Sequence, residues 1–145
     1  MDRVISTERH SRRLNFTKMT IAKIKSGKTG EALALSYLQK QGYKIIEKNF
    51  RTKYGEIDIV GDDKGCISFV EVRSSNNTRF DSPEYSIDRT KQDKLARMAL
   101  SYIKRGHLED RDCRFDVVCI EEVDSKSPKI RFIRNAFELS PWYRY

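Results

Sequence analysis

The 145-residue sequence predicts one α/β domain: a mixed central sheet flanked by helices, in the order α-β-β-β-α-β-β. Three observations predict it. Two segments carry apolar residues at helical spacing, five short runs carry β-branched and aromatic residues, and Gly- or Pro-containing turns separate most of them. Residues 28–41 form the first helix, with Ala32, Ala34, Leu35 and Leu38 as its apolar stripe and Gly42 as its stop. Residues 43–50 and 55–61 give two strands, around Ile45-Ile46 and around Ile57 and Ile59. The Gly61-Asp62-Asp63-Lys64-Gly65 turn leads into a returning strand, residues 66–73. A polar loop over residues 74–82 precedes the second helix, residues 88–105. That helix is read from Leu95, Met98, Ala99, Tyr102 and Ile103, with a Thr90–Asp93 cap and a stop at Gly106. Residues 114–123 are apolar with poor alternation, as expected of a strand buried on both faces. Residues 130–133 make the last strand, after Ser127-Pro128.

The formal charge is +8, but it is unevenly spread. Residues 1–28 hold eight basic and two acidic side chains, so this stretch carries +6 and the remaining 117 residues only +2. The division expected is a basic arm over 1–26, a domain over 27–139 and a short tail over 140–145. Arg12, Arg13, Lys23 and Lys25 in the arm are candidates for contacts to nucleic-acid phosphates. The composition excludes intrinsic disorder of the whole chain, since 15 aromatic residues are available for a core. No apolar run reaches the roughly 18 residues of a membrane span, and no signal-peptide core is visible at the start. Three cysteines without a C-x-x-C pair, and two histidines, argue against a disulfide framework and a structural zinc site. A cytoplasmic setting is the expectation.

Chemistry concentrates on the hairpin. Period two puts Glu56 and Asp58 on one face of its first strand, and Phe69, Glu71 and Arg73 together on its second. Pairing Asp62 with Gly65 across the turn would set Asp58 opposite Phe69, with Glu71 its diagonal neighbour at about 7–8 Å. Two carboxylates so placed can share a hard divalent cation. A surface hairpin with solvated acids would show the same alternation.

The ordered set Gly30-Glu31, Gly42-Tyr43, Asn49-Phe50-Arg51, Gly55-Glu56-Ile57-Asp58, Phe69-Val70-Glu71-Val72-Arg73, Lys91-Gln92, Arg114-Phe115-Asp116-Val117-Val118 and Asn135-Ala136-Phe137 goes further. It resembles the bacterial YraN family of predicted endonucleases, in the PD-(D/E)xK nuclease superfamily, with a restriction-endonuclease-like fold akin to Holliday-junction resolvases. The resemblance covers residues 27–137. It implies Asp58 and Glu71 as metal-binding acids for Mg²⁺ or Mn²⁺, Glu31 completing the acidic cluster, and the Val72 carbonyl as a further ligand. It also implies Gln92 and Lys91 facing the scissile phosphate from the second helix. Helix-terminal charge compensation for Glu31, and a solvated helix start for Lys91 and Gln92, are the plain structural readings of those residues. Glu56 is either a further acid or a partner of Arg73, and Asp116 reads as a buried structural acid.

The implied activity is divalent-metal-dependent cleavage of DNA phosphodiester bonds, including those of branched intermediates. The expected partner is nucleic acid, DNA ahead of RNA, with no membrane; cutting both strands would take a homodimer. Arg73 stands where the superfamily commonly has lysine. Arginine stays protonated and cannot act as a base, though it can clamp a phosphate oxygen. The alternative function is therefore a non-catalytic nucleic-acid-binding protein retaining the fold. A loose phosphate-loop match ending in Gly27-Lys28-Thr29 is set aside, because Ala22 replaces its first glycine and no buried strand precedes it.

Overall fold

The computed structural model describes residues 28–76 and 87–138. Helix α1 covers residues 28–40. Strands β1 (Lys44–Thr52), β2 (Gly55–Asp63) and β3 (Cys66–Ser75) follow, then helix α2 (Arg89–Gly106) and strands β4 (Cys113–Glu121) and β5 (Lys129–Phe137). The element order is the one the sequence predicts. The five strands form one sheet in the order β1-β2-β3-β4-β5. Only β3 and β4 run parallel; the other three pairs are antiparallel. A parallel pair needs a crossover, and the chain from β3 through α2 to β4 supplies it.

Each helix seals one face of the sheet. Ala34 and Leu38 of α1 pack with Ile59, Val70, Val118 and Ile120. Leu95, Met98, Ala99 and Ile103 of α2 pack with Ile57, Phe69, Phe115, Val117 and Cys119. Successive residues of β4 therefore serve opposite cores, which explains its unbroken apolar run. In α1 the buried line is Gly30, Ala34 and Leu38, one every four residues; Ala32, assigned to the stripe from sequence, is exposed. Gly30 lies against β3 so closely that a Cβ there would stand 2.8 Å from the Cβ of Ser74.

Helix α1 ends in a Schellman turn. Tyr43 N–H donates to the Leu38 carbonyl and Gly42 N–H to that of Gln39, both at 3.0 Å, with Gly42 at φ +93°. Helix α2 departs from the expected caps at both ends. Asp88, not the Thr90–Asp93 pair, caps its start by accepting from Lys91 N–H at 2.8 Å. At its end His107, not Gly106, takes the left-handed conformation at φ 51°. Leu108 N–H then reaches the Ile103 carbonyl at 3.0 Å.

The hairpin register also differs from expectation. Asp63 pairs with Cys66, so the loop is Lys64-Gly65, with positive φ at both residues (50° and 97°). That is the type I′ geometry whose twist suits a two-residue connection. The shift moves every partner by two residues, which keeps each side chain on its face: Ile59 pairs with Val70 and Val60 with Phe69. Strand β3 continues to Ser75, pairing Ser74 with Ile120 and Ser75 with Glu121, so these serines belong to the sheet and not to the loop assigned to 74–82. Residues 77–82 of that loop, the arm and the 140–145 tail lie outside the described residues. Strand β5 is longer than residues 130–133, reaching Phe137 through an irregularity opposite Asp116.

A buried network ties the far end of the sheet together. Asp116, 1% exposed, accepts from Tyr43 Oη (3.2 Å), Ser68 Oγ, Arg114 Nε (2.9 Å) and Asn135 N–H (2.8 Å). Arg114 in turn donates to Asp63 at 2.9 Å. Asp116 is thus the hydrogen-bonded structural acid expected, linking β3, β4, β5 and the start of β1, while Arg114 extends the network to β2. No buried side-chain nitrogen or oxygen among the described residues lacks a partner.

Candidate metal centre

The sheet changes character at Asp58. Ile57 packs under α2 and Ile59 under α1, so strict alternation along β2 is broken between them. Ladder pairing of β2 with β3 stops at Ile59–Val70. Continuing the register by one step sets Asp58 against Glu71, directly across and not diagonally as the sequence spacing suggested. In place of a ladder bond, Asp58 Oδ2 accepts the Val72 N–H at 2.8 Å. A side chain does what a backbone carbonyl would have done, and this pins the carboxylate at the split between the two strands.

Three carboxylates converge there. Oxygens of Glu31, Glu56 and Asp58 all lie within 4.8 Å of one another, each side chain partly buried. Glu31 comes from the first turns of α1, next to the Gly30 contact; Glu56 and Asp58 come from β2. Glu71 approaches from β3. It lies outside that tight trio yet close enough for its charge to act on Asp58. The Asp58 carboxyl is pushed up to about 7, first by burial and then by Glu71, with Glu31 and Glu56 adding to the rise. The Val72 N–H works in the opposite direction but does not win. Glu31 is raised as well, by burial and then by Glu56, against a smaller pull from Lys48. Hard oxygen donors gathered against their own repulsion fit a hard divalent cation, which offsets both the burial and the like charge.

Cationic groups border the acids. Lys91 Nζ in the first turn of α2 is 3.3 Å from Glu71 Oε1. Glu71 is well covered there, with 12% of its side chain exposed against 40% for Lys91. Arg73 sits two residues beyond Glu71 on the same strand face, paired with Cys119 of β4. Gln92 Nε2 donates to the Ile87 carbonyl at 2.7 Å, which holds its amide at the start of the helix. Glu56 pairs with Arg51 across the β1–β2 turn at 3.0 Å. Asp58, Glu71, Glu31 and Lys91 are thus brought together, with Arg73 on the adjoining strand and Gln92 at the helix start. Arg12, Arg13, Lys23 and Lys25 lie outside the described residues. Sequence reading left Glu56 open as a cluster member; its shared face with Asp58 was the available signal.

A mixed five-stranded sheet between two helices, with acids where two central strands part, defines a restriction-endonuclease-like fold. The profile described as "Uncharacterised protein family UPF0102" matches residues 30–120. The chain is 46% identical over 117 residues to a UPF0102 protein of Thermodesulfovibrio yellowstonii, covering 81% of this chain and 99% of that one. It is 41% identical over 115 residues to one of Trichlorobacter lovleyi (79% and 91% covered) and 42% over 113 to one of Persephonella marina (78% and 93%). The chain belongs to UPF0102, the YraN family. Among the described residues, no helix is long and apolar enough to cross a membrane.

Proposed function

We propose that the protein is a Mg²⁺- or Mn²⁺-dependent endonuclease that hydrolyses DNA phosphodiester bonds, with branched or recombination intermediates among the substrates to be tested. The observation that carries the proposal is the convergence of Glu31, Glu56 and Asp58 within 4.8 Å, at a point where burial and neighbouring like charge disfavour the Asp58 carboxylate unless a cation is present. Glu31, Glu56 and Asp58 would hold the cation, with Glu71 beside them. When bound, the cation supplies a Lewis acid for a phosphoryl oxygen and lowers the pKa of water.

The protein's own groups do the rest. Val72 N–H orients Asp58 so that its other oxygen is available. Lys91 steadies Glu71 and brings a positive charge to the edge where a phosphate would lie. An arginine is not a general base, so Arg73 would serve charge stabilisation on the phosphate and not proton abstraction. Lys91 supplies, from the helix, the ammonium that Arg73 withholds from the strand.

Incubating full-length protein with four-way-junction, single-stranded and duplex DNA in Mg²⁺ or Mn²⁺ tests this. Cleavage of at least one substrate is expected, falling by about 10²-fold or more in Asp58→Asn. Binding without cleavage of any substrate, unchanged by Asp58→Asn, would instead establish the non-catalytic nucleic-acid-binding reading.

A further inference from the structure

Helix α2 carries a second feature, separate from its end at Glu71. Six of its 18 residues are basic and only Asp93 is acidic. The buried residues Leu95, Ala96, Met98, Ala99 and Ile103 occupy one side. Lys94, Arg97, Lys104 and Arg105 are all exposed on the other. The first turn contains no acid and includes Arg89 and Lys91, so it sets positive charge at the positive end of the helix dipole. Asp88 caps this end and Glu71 pairs with Lys91, so it is the exposed cations farther along the helix, Lys94, Arg97, Lys104 and Arg105, that have no acid on their own helix beyond Asp93 and favour an anion lying along it.

The cations also lean towards the β1–β2 hairpin. The Arg97 guanidinium lies 5.5 Å from the ring centre of Tyr54, and Arg105 lies 5.7 Å from that of Phe50. Lys53 Nζ approaches the same Tyr54 ring at 5.2 Å. Tyr54, one of the two large hydrophobic residues exposed among those described, is 37% exposed. Gly55, at φ +134°, lies beside Met98 of the helix just after the hairpin tip. A cation-rimmed aromatic at a hairpin tip thus joins the stripe on α2.

We infer that Lys91, Lys94, Arg97, Lys104 and Arg105, extended by Lys53 beside Tyr54, form a track for the DNA phosphate backbone leading away from the acidic cluster. This rests on the nuclease reading for its direction, since Lys91 is where the stripe meets Glu71. From Lys91 to Arg105 the helix rises about 21 Å, about six base-pair steps measured along a duplex axis. The partner is assigned by charge complementarity: a row of cations separated by little acid fits a polyanion with regular spacing. The described domain therefore carries its own phosphate surface and does not depend on the basic arm alone. The near-neutral balance of residues 29–145 hides it, because the domain's acids lie largely elsewhere.

Fluorescence anisotropy with a labelled duplex of about 20 base pairs tests the track, using full-length protein in Ca²⁺ over a salt series. The variant Lys94→Gln/Arg97→Gln/Lys104→Gln removes three cations. Its affinity is expected to fall about tenfold or more, and its log–log salt slope to flatten by about three. The double variant Lys94→Glu/Lys104→Glu leaves the Arg97–Tyr54 contact intact and should weaken binding in the same direction. Unchanged affinity and slope in both variants overturn the inference, as does a loss seen only with phosphatidylserine vesicles. Weakened binding by a protein that cleaves no DNA sinks the nuclease reading and leaves the track standing. Undiminished binding by a variant that still cleaves does the reverse.

Discussion

Replacing Asp58 with asparagine should stabilise the metal-free protein while abolishing its response to divalent cations. The native carboxyl is raised from 3.8 to about 7, so at pH 8 the fold holds an anion that it disfavours. A rise of about three pH units corresponds to a cost of on the order of 4 kcal/mol. Asparagine removes the charge, keeps the shape and retains an oxygen for Val72 N–H. The charge-assisted part of that hydrogen bond is lost, about 1 kcal/mol, which leaves a net gain of about 2–3 kcal/mol. For a domain of this size the melting temperature should rise by about 8 °C. The sign follows from proton binding. Between pH 3.8 and about 7 the folded protein holds a proton that the unfolded chain has released, so stability falls as pH rises through this window. Thermal melts in EDTA from pH 5 to 8 should show that decline in the wild type and a flatter profile in Asp58→Asn. Adding Mn²⁺ at pH 8 should raise the wild-type melting temperature and leave the variant unmoved. A variant that melts at or below the wild type in EDTA at pH 8 would show that the Asp58 charge does not burden the fold.

Three further outcomes follow from the packing. Gly30→Ala places a Cβ 2.8 Å from Ser74 and should cost about 1–3 kcal/mol in chemical denaturation; Gly30→Ala combined with Ser74→Gly should recover most of it. Asp116→Ala strips the buried partner from Arg114 and the acceptor from Ser68 and Asn135, and should cost about 3–5 kcal/mol by urea denaturation. Lys91→Ala breaks only a part-exposed ion pair, so the melting temperature should stay within a few degrees while DNA cleavage drops about tenfold or more.

The order of elements was legible because each has its own local signal: helical spacing around Leu95–Ile103, a continuous apolar run in β4, and Gly or Pro near most element ends. The register was not. Asp62, Asp63, Lys64 and Gly65 admit more than one turn, and a left-handed lysine at position 64 is not what the residue type suggests. That two-residue shift decides whether Asp58 faces Phe69 or Glu71. The same limit hid the break at Asp58, where Ile57 and Ile59 serve opposite cores: a pattern of period two assumes a ladder that here comes apart. Asp116 could be recognised as buried because an acid in an apolar strand needs partners. Its partners Tyr43, Ser68 and Asn135 are far away in sequence and could not be named. The α2 track went unread for another reason: its cations are interleaved with core residues in the linear sequence and gather on one side only when the helix winds them there.

The proposed nuclease stands on Glu31, Glu56, Asp58 and Glu71 binding a divalent cation. Anomalous diffraction from Mn²⁺-soaked crystals of the wild type and Asp58→Asn addresses it most directly. A manganese peak bonded to carboxylate oxygens of Glu31, Glu56 or Glu71 together with Asp58 is expected, and is lost in the variant. A wild-type crystal in Mn²⁺ with no peak at this cluster, or an equal peak in Asp58→Asn, would contradict it.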